Sequence, residues 1–145
     1  MTSTFQSCMQ GLANRLELSS EDLTGDVISI TVDDCWAVHF SALSDQYIVM
    51  FTSLGKLLTP ENAATILADN LFNEDPTHPR VGLDNNSQNL LLWSQIPIIS
   101  CDDANLYQAL LNLIHKAQSY SDQLNSDLNE DNITPVVSNP SMIKA

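Results

Sequence analysis

The apolar residues near the start of this 145-residue chain recur with a helical period. Over residues 4–18 they return at intervals of three and four, which predicts an amphipathic helix with one apolar stripe. The stripe contains Phe5, Met9, Leu12, Ala13 and Leu16.

The period then changes to two. Apolar and polar residues alternate over 28–32 and again over 36–40, which predicts two antiparallel strands joined by a tight turn at Asp33–Asp34. Ser41–Asp45 is predicted to be a second turn. The third strand, Tyr47–Phe51, is apolar at every position, as is typical of a strand covered on both faces.

The second half of the chain predicts a helix, two strands and a longer helix. Thr59-Pro60-Glu61 is a helix start, since it joins a capping hydroxyl, a proline in the first turn and an acidic residue, and this helix should run to about Phe72. Two strands follow: a short one at Arg80–Asp84 and one at Leu90–Ile96, which Pro97 ends. The last predicted element is a helix that begins at Ser100 and Asp102 and runs to about residue 125.

This order predicts an α+β fold in one domain: helix, three antiparallel strands, helix, two strands, helix, with a twisted antiparallel sheet packed against the helices. The expected domain covers residues 1–125. Residues 126–145 have no sustained period and two prolines, and they are predicted to be an acidic, disordered tail.

Charge excludes several classes of partner. Eighteen Asp and Glu stand against five Lys and Arg, for a net charge of −13, so nucleic acid and anionic membranes would be repelled. No apolar run approaches the roughly 20 residues that span a bilayer, and the first residues lack the pattern of a signal peptide. We therefore expect a cytoplasmic protein without membrane insertion, whose Cys8, Cys35 and Cys101 are free, buried thiols.

The polar run Asp84–Gln88 is the best candidate for a metal loop, because Asp84, Asn86 and Gln88 place oxygen atoms at alternate positions. However, Asn89 stands where a calcium loop needs glycine, and Gln95 stands where it needs glutamate. A hairpin turn is the better interpretation. No nucleophile, phosphate-binding or metal-binding motif occurs elsewhere, so neither an enzyme nor a cofactor is expected.

Three segments of the chain resemble class I type III secretion chaperones of the Tir-chaperone (CesT/SycE-like) family. They are ISITVDD at 28–34, VGLDNNSQNLLLWSQIPI at 81–98 and the helix after CDD at 101–103. The resemblance covers residues 4–125. It implies a bacterial homodimer that binds the N-terminal region of a secreted effector without ATP and keeps it soluble, with the secretion ATPase as a further candidate partner. A regulatory binding protein on the same scaffold, which sequesters a transcription factor or secretion component, is the alternative.

The resemblance also implies two sets of contact residues. It places the dimer contact on the second helix and the neighbouring strand, at Ala64, Leu67, Leu71, Val81 and Leu83. It places effector contacts on the first helix and the sheet, at Phe5, Met9, Leu12, Ile28, Ile30, Trp36 and Phe40, although each of these residues could equally belong to the core.

Trp93 joins the effector set through the strand pattern. Leu90 and Leu92 share one face of their strand, and Leu91 and Trp93 share the other. If helices cover only one face of the sheet, the second apolar pair needs a subunit or a client to cover it.

Overall fold

The computed structural model describes residues 4–18, 25–56, 59–72, 75 and 77–133, with side chains described as far as residue 124. Its five strands form one antiparallel sheet in the order β1-β2-β3-β5-β4, which confirms the predicted α+β fold. The elements are α1 (Phe5–Arg15), β1 (Val27–Val32), β2 (Trp36–Leu43), β3 (Tyr47–Lys56), α2 (Pro60–Asp69), β4 (Arg80–Asp84), β5 (Asn89–Pro97), a 3-10 turn (Ile98–Ser100) and α3 (Asp103–Ile133).

The two shorter helices start at threonine caps. The Thr4 side chain accepts a hydrogen bond from the backbone N–H of Ser7 at 3.1 Å, and the Thr59 side chain accepts one from Asn62 at 3.1 Å. These bonds satisfy backbone donors that have no partner within the helix. α1 ends at Arg15, earlier than predicted, because the chain turns out of the helix and Glu17 adopts a left-handed conformation with φ 58°.

Two tight turns set the register of the first three strands. Asp33 and Asp34 have φ of 54° and 53°, and Ser44 and Asp45 have φ of 54° and 56°. Positive φ at both central residues gives a turn whose twist matches that of the flanking strands. The predicted turn over Ser41–Asp45 is wrong at its first three residues, because β2 continues to Leu43 and the chain reverses over Ser44–Gln46.

The core lies between one face of the sheet and the helices α1 and α3. Its fully buried sheet residues include Phe40, Ile48, Met50 and Leu92. Six apolar residues form a stripe along α3 that packs against this face. All six are buried: Leu106, Leu110, Leu113, Ala117, Tyr120 and Leu124.

α3 is longer than the sequence pattern predicts. Its backbone remains helical to Ile133, so residues 126–133 of the predicted tail continue the helix. Residues 134–145 lie outside the described residues. None of the helices in the described part of the chain combines the length and the apolar character required to cross a membrane.

Candidate functional site

The sheet has a second apolar face, opposite the core. Apolar side chains of the two central strands lie on it and are half-buried: Tyr47, Val49 and Phe51 of β3, and Leu91 and Trp93 of β5. Phe51 is paired with Trp93 across the two strands. We call Val49, Phe51, Leu91 and Trp93 the outer patch.

The neighbours of the outer patch are mainly polar. His39 on β2 lies beside it, with its ring 5.1 Å from that of Phe51, and its Nδ1 is 2.7 Å from the Ser29 hydroxyl on β1. At the opposite side Arg80 of β4 is paired with Trp93. An apolar centre with a polar rim is the usual arrangement of a protein-binding surface.

A second apolar surface is exposed on α2. Leu67 is 68% exposed, with Ala64 one turn before it, and Leu71 and Phe72, which follow the last helical residue Asp69, are 66% and 88% exposed. We call Ala64, Leu67 and Leu71 the α2 stripe. Leucines of this exposure, one on the helix and one just after its end, are the part of a small protein that another surface is expected to cover.

Asn70 fastens the end of α2 to the edge strand β4. Its side-chain amide donates to the carbonyl of Val81 at 2.5 Å, and its carbonyl oxygen accepts from the N–H of Val81 at 2.9 Å. Because Val81 is the second residue of the edge strand β4, this pair occupies backbone groups at the edge that a further strand would use. It also sets the α2 stripe beside β4.

A second link joins α2 to α3. The Tyr120 hydroxyl donates to the Asp69 carboxylate at 3.0 Å, and the Lys116 amine lies 3.9 Å from the same carboxylate. Burial raises the pKa of Tyr120 above its usual value, and the hydrogen bond and charge of Asp69 raise it further. The orientation of α2, and therefore of its stripe, is fixed at both the sheet and the helix layer.

The opposite edge of the sheet, β1, has a strand neighbour on one side only, β2. Val27 at its start is 53% exposed, whereas Ile28 and Ile30 point into the core. The free edge of an antiparallel sheet carries backbone N–H and C=O groups that can pair with an added strand.

The structure divides the predicted effector residues into two groups. Six of them are core residues, each at most 9% exposed, so their side chains offer no binding surface in this conformation: Met9, Leu12, Ile28, Ile30, Trp36 and Phe40. Phe5 and Trp93 are partly exposed. The core alternative therefore holds for these six, because the apolar stripe of α1 and the inward positions of β1 and β2 pack against α3 and each other.

The predicted dimer residues are mostly at the surface. Leu83 is 46% exposed and joins the α2 stripe on the outside of the fold, while Val81 is buried. Sequence reasoning missed Val49, Phe51 and Phe72. The uninterrupted apolar run at 47–51 was the available signal for the first two, since a strand with two apolar faces needs two covers.

The Asp84 loop uses its carboxylate within the turn itself. One Asp84 oxygen accepts from the backbone N–H of Asn86 at 3.2 Å, and the other accepts from the Ser87 hydroxyl at 2.8 Å. Gln88 has φ 61° and closes the turn. Among the residues that the structure describes, no three His, Cys, Asp or Glu side chains are grouped as metal ligands.

The model of the Tir chaperone protein (CesT) family matches residues 7–121. The chain belongs to this family. The matched segment contains the outer patch, the α2 stripe and both edges of the sheet, so every surface described above except Phe5 lies within the Tir chaperone domain. The family assignment made from the sequence is confirmed.

Named relatives agree with the family. The chain is 30% identical over 115 residues to a YopE regulator of Yersinia pestis, and 29% identical over 115 residues to a YopE regulator of Yersinia enterocolitica; each match covers 79% of this chain and 87% of the relative. This Tir chaperone family member therefore shares nearly the whole length of both relatives.

Solved structures of type III secretion proteins share the fold. A chain in the complex of the Yersinia pestis type III secretion chaperone SycH with a fragment of YscM2 is 30% identical, with a TM-score of 0.72, 81% of this chain covered and 100% of that one. A chain of the ExoT–SpcS complex from Pseudomonas aeruginosa is 27% identical, with a TM-score of 0.68 and coverage of 79% and 95%.

Proposed function

We propose that this protein is a bacterial cytoplasmic chaperone that binds the N-terminal region of a type III secreted effector without ATP and keeps it soluble and competent for secretion. The observation that carries the proposal is the match to the Tir chaperone family over residues 7–121, together with a 30% identical solved chain from a type III secretion chaperone complex. The two exposed apolar surfaces are suited to two protein contacts, one with a second copy and one with the effector.

The α2 stripe, with Leu83 on β4, is the proposed dimer contact. Its leucines are far more exposed than the outer patch, and α2 is held rigidly by Asn70 and Tyr120. A rigid surface loses little conformational entropy when it is buried, which favours a permanent contact between two folded copies.

The outer patch, Phe5 and the free edge of β1 form the proposed effector surface. One part of an extended client segment can pair its backbone with β1, and a separate part can cover Phe51 and Trp93, which lie two and three strands farther into the sheet. The net charge of −13 keeps the unloaded protein from associating through these apolar areas.

Trp93→Asp tests the effector surface. In a pull-down from the native organism, the wild type should recover a secreted effector, and Trp93→Asp should recover at least about tenfold less, because an ionised side chain loses about 1.4 kcal/mol or more of binding where an indole was covered. Gln108→Asp is the matched control, since it introduces the same charge at an exposed position of α3, in the helix layer on the opposite side of the sheet.

Circular dichroism must show that both variants are folded. If wild-type protein recovers no secreted effector, the proposed function is wrong. If Trp93→Asp recovers as much effector as Gln108→Asp and the wild type, the function stands and the outer patch is not the client surface.

A regulatory role on the same scaffold is the second candidate, because the named relatives are YopE regulators. Mass spectrometry of proteins that co-purify with the native chain separates the two. Recovery of a transcription factor or a secretion component, with no secreted effector, would favour the regulator.

A further inference from the structure

Two of the three cysteines, far apart in sequence, meet inside the fold. Cys8 on α1 and Cys101 just before α3 are 93 positions apart, and their side chains are 5% and 7% exposed. The Cys8 thiol lies 3.9 Å from the backbone carbonyl oxygen of Cys101, to which it donates. Cys35, in the turn between β1 and β2, is exposed.

The contact belongs to a seam along which α1 and the start of α3 keep a fixed register. One turn after Cys8, Gly11 passes so close to α3 that a side chain there would come within 3.3 Å of the Cβ of Asp103. One turn farther, the Arg15 guanidinium binds the Asp103 carboxylate at 3.1 Å and lies 5.4 Å over the ring of Tyr107. Cys8, Gly11 and Arg15 share one face of α1, so these contacts hold Cys8 against Cys101.

The two thiols also act on each other. Burial, the charge and hydrogen bond of the adjacent Cys8, and the charge of Asp102 together raise the pKa of the Cys101 thiol from 9.0 to about 12. Because Cys101 is therefore protonated at neutral pH, we assign the first attack to Cys8 and the resolving step to Cys101.

We propose that Cys8 and Cys101 form a dithiol site that a low-molecular-weight disulfide oxidises to an internal disulfide. The Cys8 thiolate attacks one sulfur of the small disulfide, which forms a mixed disulfide and releases one small thiol. Cys101 then loses its proton, attacks the Cys8 sulfur and displaces the second small thiol. The protein loses two protons and two electrons, and the small disulfide takes them up to become two thiols.

The bond would link α1 to α3 and close a loop of 93 residues. A cross-link of that span removes much of the freedom of the unfolded chain, and the seam keeps α1 against the start of α3. We expect the oxidised protein to melt roughly 10 °C higher than the reduced one. Because the cytosol keeps thiols reduced, the disulfide would form only when the cytosol becomes more oxidising.

The test uses the full chain with Cys35→Ser, which removes the exposed thiol. After incubation with oxidised glutathione, intact-mass measurement should show the loss of two hydrogens, and digestion without reductant should yield Cys8 joined to Cys101. The melting temperature should rise and return to its starting value with dithiothreitol. A second variant that also carries Cys8→Ser should show neither change.

Burial could make oxidation of the folded protein slow, so the same variant is also refolded from urea in a glutathione redox buffer, where both thiols are accessible. A Cys8–Cys101 bond in either experiment, with the higher melting temperature, supports the dithiol site. Free thiols or glutathione adducts alone in both experiments overturn it. A bond that lowers the melting temperature overturns it too, because the seam would then be mismatched to a disulfide.

Discussion

Replacing both Leu67 and Leu71 with aspartate should abolish the proposed dimer. The two side chains are 68% and 66% exposed in the single chain, Leu67 on α2 and Leu71 just beyond its last residue. Burying a leucine completely is worth about 1.5–3 kcal/mol, so covering two-thirds of one is worth about 1–2 kcal/mol.

In a two-fold dimer both protomers contribute Leu67 and Leu71, so four side chains are buried, with a total of about 4–8 kcal/mol. At about 1.4 kcal/mol for each factor of ten, the dimer Kd should rise by roughly 10³ to 10⁶. The four introduced carboxylates face one another across the two-fold axis and add repulsion to this loss.

Sedimentation equilibrium over a range of concentrations measures the Kd directly. Leu18→Asp is the control, because Leu18 is 41% exposed, lies beyond the end of α1 and belongs to neither the α2 stripe nor β4. This control should remain dimeric. If the double variant keeps the wild-type Kd while folded, the α2 stripe is not the dimer contact.

Three further outcomes follow from individual contacts. Asn70→Ala should lower the free energy of unfolding in urea by about 1–3 kcal/mol, because it leaves the N–H and C=O of Val81 without their partner. The control Gln118→Ala, on the exposed face of α3, should change this free energy by less than about 0.5 kcal/mol. Equal losses in the two variants would refute the role of Asn70. The pKa of Tyr120 in the folded state lies above its unfolded value of 10.0, so its contribution to the free energy of unfolding is complete below pH 10 and is lost as the pH rises through the folded pKa. Tyr120→Phe should therefore reduce the fall in the free energy of unfolding at alkaline pH. An unchanged slope against pH would contradict this. Calorimetry should detect no calcium binding at the Asp84 turn, because both carboxylate oxygens already accept hydrogen bonds within it, and heat that Asp84→Ala abolishes would overturn this interpretation.

The sequence predicts most of the fold because the periods of its apolar residues are clear. The six apolar residues of the α3 stripe recur with a helical period, and all six are buried on one face of the helix. Thr59-Pro60 predicts the start of α2 correctly, since capping depends only on adjacent residues.

The candidate surfaces are harder to predict, because a period shows that two faces differ without showing which is covered. Met9 and Phe40 have the size and apolar character of client contacts, yet both are fully buried. In the run at 47–51 both faces are apolar, so the pattern cannot say that Ile48 and Met50 face the helices while Val49 and Phe51 do not. The approach of Cys8 to Cys101 depends on how α1 crosses α3, which no local pattern records.

The hydrogen bonds of Asn70 make the two ends of the sheet unequal. On β4 the backbone groups of Val81 are occupied by a side chain, whereas β1 carries no such cover among the described residues. Strand addition is therefore expected at β1 rather than at β4, which disfavours edge-to-edge joining of copies into an open-ended polymer. If the client loads by strand addition, each protomer is then expected to accept one strand, at β1.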